Sequence, residues 1–376
     1  MARDSPTIGR RRFVKLAGAT AVAVGLAGCS TNQSGSDGSS SGSSGSTGGS
    51  TGGSDGGDST PTETATPEGV QSFKMAISHF PIISSGVPVM VSFEEGYYEQ
   101  RNIGVEDITS FAGGGTTIRG VVTGGLPVGG GSAAAVVNAW AAGAPVHLIG
   151  GMANTNDIDV LTLPDSGIET IQDLKGKTVG YSNPASASQA MLVMSLKRAD
   201  GISLDDVTLK AMGGLGESIT GVKEGDIDAG WSNVVVSVPQ INSGDLKRVF
   251  GTWEYAKEIP NTALFAGSSM VQEHGAFFEK MLEAHAQANE FIQSNPGKAA
   301  GHWAKYADNV DQSAAKLVIE QNLEMNDNFF GVGWNEGAFQ SLEEMMLSVD
   351  MIDSAPDWDT VVDQQFIPED QRIDLP

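Results

Sequence analysis

Three times between Val105 and Lys197 the chain repeats one construction: a short apolar strand, a glycine- or serine-rich turn, then a helix start. Val105 to Phe111 feeds Gly113-Gly114-Gly115-Thr116-Thr117 and a helix from Ile118 to Thr123. Leu126-Pro127-Val128 leads through Gly129-Gly130-Gly131-Ser132 into a helix from Ala133 to Ala142. Thr178 to Tyr181 passes through Ser182-Asn183-Pro184-Ala185-Ser186 to a helix whose apolar stripe is Met191, Leu192, Met194 and Leu196. Strands alternating with helices predict an α/β chain with parallel sheets flanked by helices, and a site at the strand C-terminal ends. At each turn the first helical N–H groups lack intrahelical partners and carry the positive end of the helix dipole. An anion or a polar small molecule suits that place. In a single copy, Ser182, Ser186 and Ser188 would read as helix caps alone. The threefold repetition argues for a shared cleft.

The first 70 residues read differently. Arg10-Arg11-Arg12-Phe13-Val14-Lys15 matches the twin-arginine export pattern, and the apolar run Leu16 to Ala27 is too short to span a bilayer as a mature helix. Leu26-Ala27-Gly28-Cys29 looks like the lipobox of a secreted lipoprotein, making residues 1–29 a signal and Cys29 the lipid-bearing N-terminus. Cys29 is the sole cysteine, which excludes an internal disulfide and any cysteine-based metal cluster. Residues 30–70 are almost entirely Ser, Gly, Thr, Asp and Pro. They bury too little apolar surface to offset their ordering entropy, so a disordered tether is expected. Gly38-Ser39-Ser40-Ser41-Gly42 fits G-x-S-x-G but lacks the strand and helix of a nucleophile elbow.

Of 22 basic and 46 acidic residues, five and six fall in that leader, leaving 17 and 40 in the rest. This balance argues against nucleic acid as a partner. It suits a surface kept hydrated in strong salt, where a Debye length of about 3 Å screens the repulsion; a halophilic source is expected.

Phe73 to Ser78 alternates as a first strand ending at His79-Phe80-Pro81, and Glu94 to Arg101 reads as a helix. Pro145 to Ile149 reads as a strand, Leu161-Thr162-Leu163-Pro164 as a first crossover, and Thr262 to Ala266 as the return. Lobe one is therefore expected at 71–163 and 260–376, and lobe two at 164–259. Asp228-Ala229-Gly230-Trp231 forms a further strand end, with a polar helix start at Ser232-Asn233.

Several motifs in this order belong together: Gly96-Tyr97-Tyr98-Glu99, Gly113-Gly114, Ala142-Gly143-Ala144-Pro145-Val146, Asp173 to Gly180, and Gly225-Asp226-Ile227-Asp228-Ala229. On these residues the chain resembles the solute-binding proteins of ABC importers, in the family that takes up nitrate, sulfonates, taurine and thiamine precursors. Leu126-Pro127 departs from the acidic residue that relatives carry there. The resemblance implies a two-lobed periplasmic-binding-protein fold of type II with two interlobe crossovers. It implies a small-molecule ligand held between the lobes, and an ABC permease with its ATPase as partners. With the lipidated Cys29, the protein is expected as a monomer on the outer face of the cell membrane, without cofactor, metal or catalytic residues.

The expected ligand contacts are His79, Phe80 and Pro81 at the first strand end, Gly114 and Thr116, Ser132, the Ser182, Ser186 and Ser188 loop, and Trp231. The expected ligand is a small oxyanion of sulfonate, taurine or nitrate type. The alternatives are a pyrimidine-type thiamine precursor or other aromatic compound stacked on Trp231 or Phe80, a secreted enzyme on the same scaffold, or the ligand-presenting subunit of a sensor. Against an enzyme, His79, His147, His274, His285 and His302 show no H-E-x-x-H spacing. The G-x-G-x-x-A match at Gly129 to Ala134 has no acidic residue about 20 positions on, as a dinucleotide site requires.

Overall fold

The computed structural model describes residues 71–376 except 81–82, 112–113, 124–125, 185 and 308–309. Arg10, Arg11, Cys29 and Pro81, with the signal and tether readings, lie outside the described residues. The strands are β1 (Gln71–Ser78), β2 (Ile103–Phe111), β3 (Val128–Ser132), β4 (Val146–Ala153), β5 (Ile158–Thr162), β6 (Thr178–Tyr181), β7 (Thr208–Ala211), β8 (Ala229–Asn233), β9 (Lys247–Gly251) and β10 (Thr262–Gly267). The helices of the first half are α1 (Val87–Glu94), α2 (Tyr97–Gln100), α3 (Gly114–Val122), α4 (Ala133–Ala141), α5 (Ala187–Arg198), α6 (Leu215–Glu224) and α7 (Val234–Ser243). Those after β10 are α8 (Ser268–Glu273), α9 (Gly275–Ser294), α10 (Pro296–Ala304), α11 (Gln312–Met325), α12 (Ala338–Leu347) and α13 (Trp358–Val361).

Two sheets form, in the orders β2-β1-β3-β10-β4 and β7-β6-β8-β5-β9, with helices packed on them. This is the α/β architecture expected, but the sheets are mixed instead of wholly parallel. β10 runs antiparallel to β3 and β4, and β5 runs antiparallel to β8 and β9. The crossovers explain the difference. Each carries the chain into the second sheet or back at the edge where the parallel strands end, so the strand that follows must run the opposite way.

The first crossover is residues 154–157, and β5 already belongs to the second sheet. The chain thus changes sheets before Leu161 to Pro164, where the crossing was expected. The four polar residues Asn154-Thr155-Asn156-Asp157 mark it. The return is residues 252–261, between β9 and β10. The helix expected across Glu94 to Arg101 is broken at Gly96, whose φ of +73° needs a glycine and separates α1 from α2.

Strand β3, at the centre of the first sheet, is Val128-Gly129-Gly130-Gly131-Ser132. A Cβ at Gly129 would lie 2.5 Å from the Phe265 ring, and one at Gly130 2.5 Å from the Met152 sulfur. Side chains from β10 and β4 fill the space that a larger residue would need. The G-x-G-x-x-A match is therefore a packed strand running into α4.

Around the first sheet, Phe73 meets Tyr98 and Phe277 edge to face, and the buried Tyr98 hydroxyl bonds to Nε2 of His285. The second sheet buries Val160, Val179, Leu192, Leu196 and Phe250 against α5. The C-terminal helices, expected in lobe one, also touch the second sheet's helices: α11 lies on α7 and α12 on α5. There Arg198 meets Glu344 at 2.5 Å.

Candidate ligand-binding cleft

On the first sheet, the starts of α3 and α4 lie side by side. A Cβ at Gly114 would stand 3.0 Å from Ala135 Cβ and 3.9 Å from Ser132 Cβ. Ser132 caps α4, its Oγ accepting from Ala135 N at 3.4 Å. Thr116 is exposed in the first turn of α3, while Thr117 is buried with its Oγ1 2.8 Å from Ser78 Oγ. That bond ties α3 to the end of β1. His79 follows with φ of +56°, its N–H donating to Phe111 O at 2.8 Å and its side chain exposed. A left-handed non-glycine residue costs on the order of 1 kcal/mol and persists where surrounding contacts hold it, often at ligand clamps. Phe80 turns the other way and is buried beside Gly86.

On the second sheet, three serines form one cluster. Ser188, 3 % exposed, accepts from Ser182 N at 2.9 Å, and its Oγ lies 2.7 Å from Ser182 Oγ and 3.0 Å from Ser186 Oγ. Ser186 caps α5 by accepting from Gln189 N at 3.3 Å. Two hydroxyl–hydroxyl contacts consume two of the three hydroxyl protons, so one stays free to donate outward. Capping and ligand binding are therefore compatible roles. Trp231 is half-buried, pairs with Val160 and shares a sheet face with Ala229; its Nε1 finds no hydrogen-bond partner among the described residues.

The crossovers join the two sides. Asn261 O accepts from Ala133 N, the first residue of α4, at 3.1 Å, and Asp157 O accepts from Val234 N, the first residue of α7, at 3.1 Å. The Asn261 amide donates to Asp157 Oδ1 at 3.2 Å. Asn233 caps α7 by accepting from Val236 N at 3.1 Å. Next to Asn261, the buried Thr262 Oγ1 has no partner among the described residues. Burial pushes the Asp157 carboxyl up to about 6; its own N–H works against this, nearby Asp159 adds to it, and the Asn261 amide again lowers it. Asp157, Asn233, Asn261 and Thr262 were not among the expected contacts. The run Asn154-Thr155-Asn156-Asp157 between two apolar strands was the visible signal for Asp157, and the polar helix start at Ser232-Asn233 that for Asn233.

Four helix starts (α3, α4, α5 and α7) thus stand at the C-terminal strand edges, rimmed by hydroxyls and amides. Such a construction holds an anion without needing a lysine or arginine. The NMT1/THI5-like family model matches residues 85–299, from before α1 to within α10 and through both crossovers. The chain belongs to this family. No curated protein matches it.

Among solved structures, this NMT1/THI5-like chain is similar to the periplasmic aliphatic sulphonate binding protein SsuA from Escherichia coli, with a TM-score of 0.64 and 16% identity over 78% of this chain and 92% of that one. It is similar to the alkanesulfonate-binding protein SsuA from Xanthomonas axonopodis pv. citri bound to MOPS (TM-score 0.60, 14% identity, 78% and 98% covered). It is also similar to the periplasmic nitrate-binding protein NrtA from Synechocystis PCC 6803 (TM-score 0.59, 13% identity, 80% and 91% covered). The fold is that of the periplasmic binding proteins.

Proposed function

We propose that this member of the NMT1/THI5-like family is the extracytoplasmic solute-binding component of an ABC importer, taking a small oxyanion of sulfonate or nitrate type between its two sheets. The observation that carries the reading is the junction at Asp157 and Asn261, which binds the first turns of α4 and α7 to one place. Helix N–H groups, the Ser182–Ser188 hydroxyls and Ser132 would share the ligand's charge. The twin-arginine pattern and the lipobox would place the protein outside the membrane, anchored through Cys29, and the acid excess would keep it soluble in strong salt. A binding role is preferred to an enzymatic one because, among the described residues, Ser182, Ser186 and Ser188 bond to each other and to backbone amides, not to a base.

A second reading has one observation in its favour. The Trp231 indole, with Nε1 unpaired, could stack on a pyrimidine-type or other aromatic ligand and donate to it.

The test is a thermal-shift screen of the purified chain in high salt against nitrate, sulfate, alkanesulfonates, bicarbonate, pyrimidine precursors and aromatic acids. A rise in Tm that scales with the concentration of one oxyanion, as linkage requires, is the expected result. A rise only with aromatic compounds would replace the oxyanion reading by the second one, and turnover of the bound compound would replace binder by enzyme.

A further inference from the structure

The crossovers face two ways. Asp157 O and Asn261 O take the first N–H groups of α7 and α4 on the cleft side. Thr155 and Glu258 turn instead to Asn326 at the end of α11, so α11 stands behind the crossovers. This helix is fixed to the first side of the molecule. Asn322 Nδ2 donates to the buried Ser84 Oγ at 2.9 Å, and α11 packs along α10. α7 is fixed to the second side, where its Ile241 packs on Leu161, Val222, Ile227 and Leu246. Each helix meets the junction at one end, α7 at Val234 and α11 at Asn326. Between them lies a cavity of about 210 Å³, with Val238 and Asn242 on one wall and Leu317 and Gln321 on the other. Arg248 of β9 bridges the walls, its Nη1 and Nη2 donating to Gln321 Oε1 at 3.4 and 3.3 Å.

A close-packed helix pair resists displacement, because moving it loses contacts on every wall. α7 and α11 have room between them for several waters, so they can approach or separate there without a clash. The two walls belong to different sides, and their spacing must change whenever the sides turn on the crossovers. With the cleft in front of the crossovers and the cavity behind, widening one narrows the other. Arg248 does not make the cavity a second anion site: its charge is neutralised by the buried Asp159, with Nε 2.5 Å from Oδ1, and its guanidinium lies over Trp253. We propose that the α7–α11 cavity sets the resting width of the cleft, so that bulk placed in it closes the cleft without touching the ligand site.

With Cys29 the sole cysteine, a Cys29→Ser chain accepts spin labels at chosen positions only. Labels at Arg119→Cys on α3 and Thr220→Cys on α6, both exposed and on helices that start at the cleft edge, read the distance across it in ligand-free protein. Asn242→Trp and Leu317→Trp add bulk from opposite walls, each at an exposed position. Each should move the distance distribution to shorter values than in the otherwise unchanged labelled chain, and the double variant furthest. Calorimetry with ethanesulfonate should then show severalfold tighter binding, because a larger fraction of the chain is already in the closed, binding-competent form. Unchanged or longer distances in the double variant would overturn the proposal. Shorter distances with no ethanesulfonate binding would uphold it and overturn the sulfonate reading of the cleft, so the two failures are told apart.

Discussion

The side-chain amide of Asn326 lies 2.8 Å from Thr155 Oγ1 on the first crossover and 3.0 Å from Glu258 Oε2 on the second. One residue at the end of α11 therefore ties both crossovers together. Asn335 Nδ2 reaches the same Glu258 oxygen at 2.8 Å, and Thr155 Oγ1 donates to Lys257 O at 2.7 Å. Asn154 sends its amide to the carbonyls of Asn328, Gly331 and Gly333. The loop after α11 is thus the common partner of both links between the sheets.

Asn326→Ala should destabilise the chain by about 1–3 kcal/mol, because it leaves buried partners without this donor. Asn335→Ala should cost less, since Glu258 keeps Asn326. Urea unfolding midpoints check both, and equal midpoints for Asn326→Ala and wild type would contradict the clamp.

The serine cluster separates two effects. Ser186→Ala removes the cap of α5 and should cost about 1 kcal/mol of stability. Ser188→Ala takes the acceptor from Ser182 N and both hydroxyl contacts, at about 1–2 kcal/mol. If the cluster also holds the ligand, each variant should weaken oxyanion binding by about 1–2 kcal/mol. Calorimetry at a temperature where both variants stay folded reads this directly; unchanged affinity would leave the serines as caps alone.

Gly129→Ala should be disruptive although the new side chain is one methyl, because the Phe265 ring occupies its place. Overpacking of this kind costs about 1–3 kcal/mol. Adding Phe265→Leu should recover part of the loss, a non-additivity that a double-mutant cycle of unfolding free energies reveals. Simple addition of two losses would show that the ring is not the obstacle.

His285 supplies a pH signature. It is buried against Tyr98, and burial holds its imidazole down at about 3. Below the ordinary value of 6.5 the unfolded chain gains a proton there while the folded chain does not, so this residue lowers stability as pH falls from 6.5 toward 3. Asp157 tilts the other way: raised to about 6, it favours the folded state most in acid and loses that effect as pH rises through 6. His285→Gln, which keeps a partner for the Tyr98 hydroxyl, should flatten the fall of Tm between pH 6.5 and 4 relative to wild type. Parallel Tm curves would contradict this.

Cys29→Ser tests the anchor. The exported variant should appear in the medium, while the wild type sediments with membranes. A variant that still sediments would show that attachment does not depend on Cys29.

The regular alternation made much of the fold legible. Phe73 to Ser78 and Thr178 to Tyr181 read as strands because they are short apolar runs bounded by turn residues. The stretch after Ser186 reads as a helix because its apolar residues recur at helical spacing, although β6 and α5 prove buried on most sides. β9 was missed because Lys247 and Arg248 obscure its pattern; their charges are satisfied by Glu169 and Asp159, 78 and 89 residues away. The junction was illegible for the same reason. Asp157 and Asn261 stand 104 residues apart, and no local spacing shows that an amide and a carboxyl will meet. The serine loop, built from neighbours in sequence, was visible from the start.

The two links between the sheets differ in length, residues 154–157 against 252–261. A linker of four residues has a reach of roughly 13–14 Å even when fully extended, and the first link is further fixed by the bonds of Asn154 and Thr155. It can act as a pivot but cannot stretch. The longer link is held at Lys257 and Glu258 by Thr155, Asn326 and Asn335, so its freedom lies in the residues before them, around the short turn of 3₁₀-helix at Thr252–Glu254. Any opening of the cleft must then be a swing about the first link, smallest at Asp157. A ligand entering by the rim would meet the junction carboxyl last.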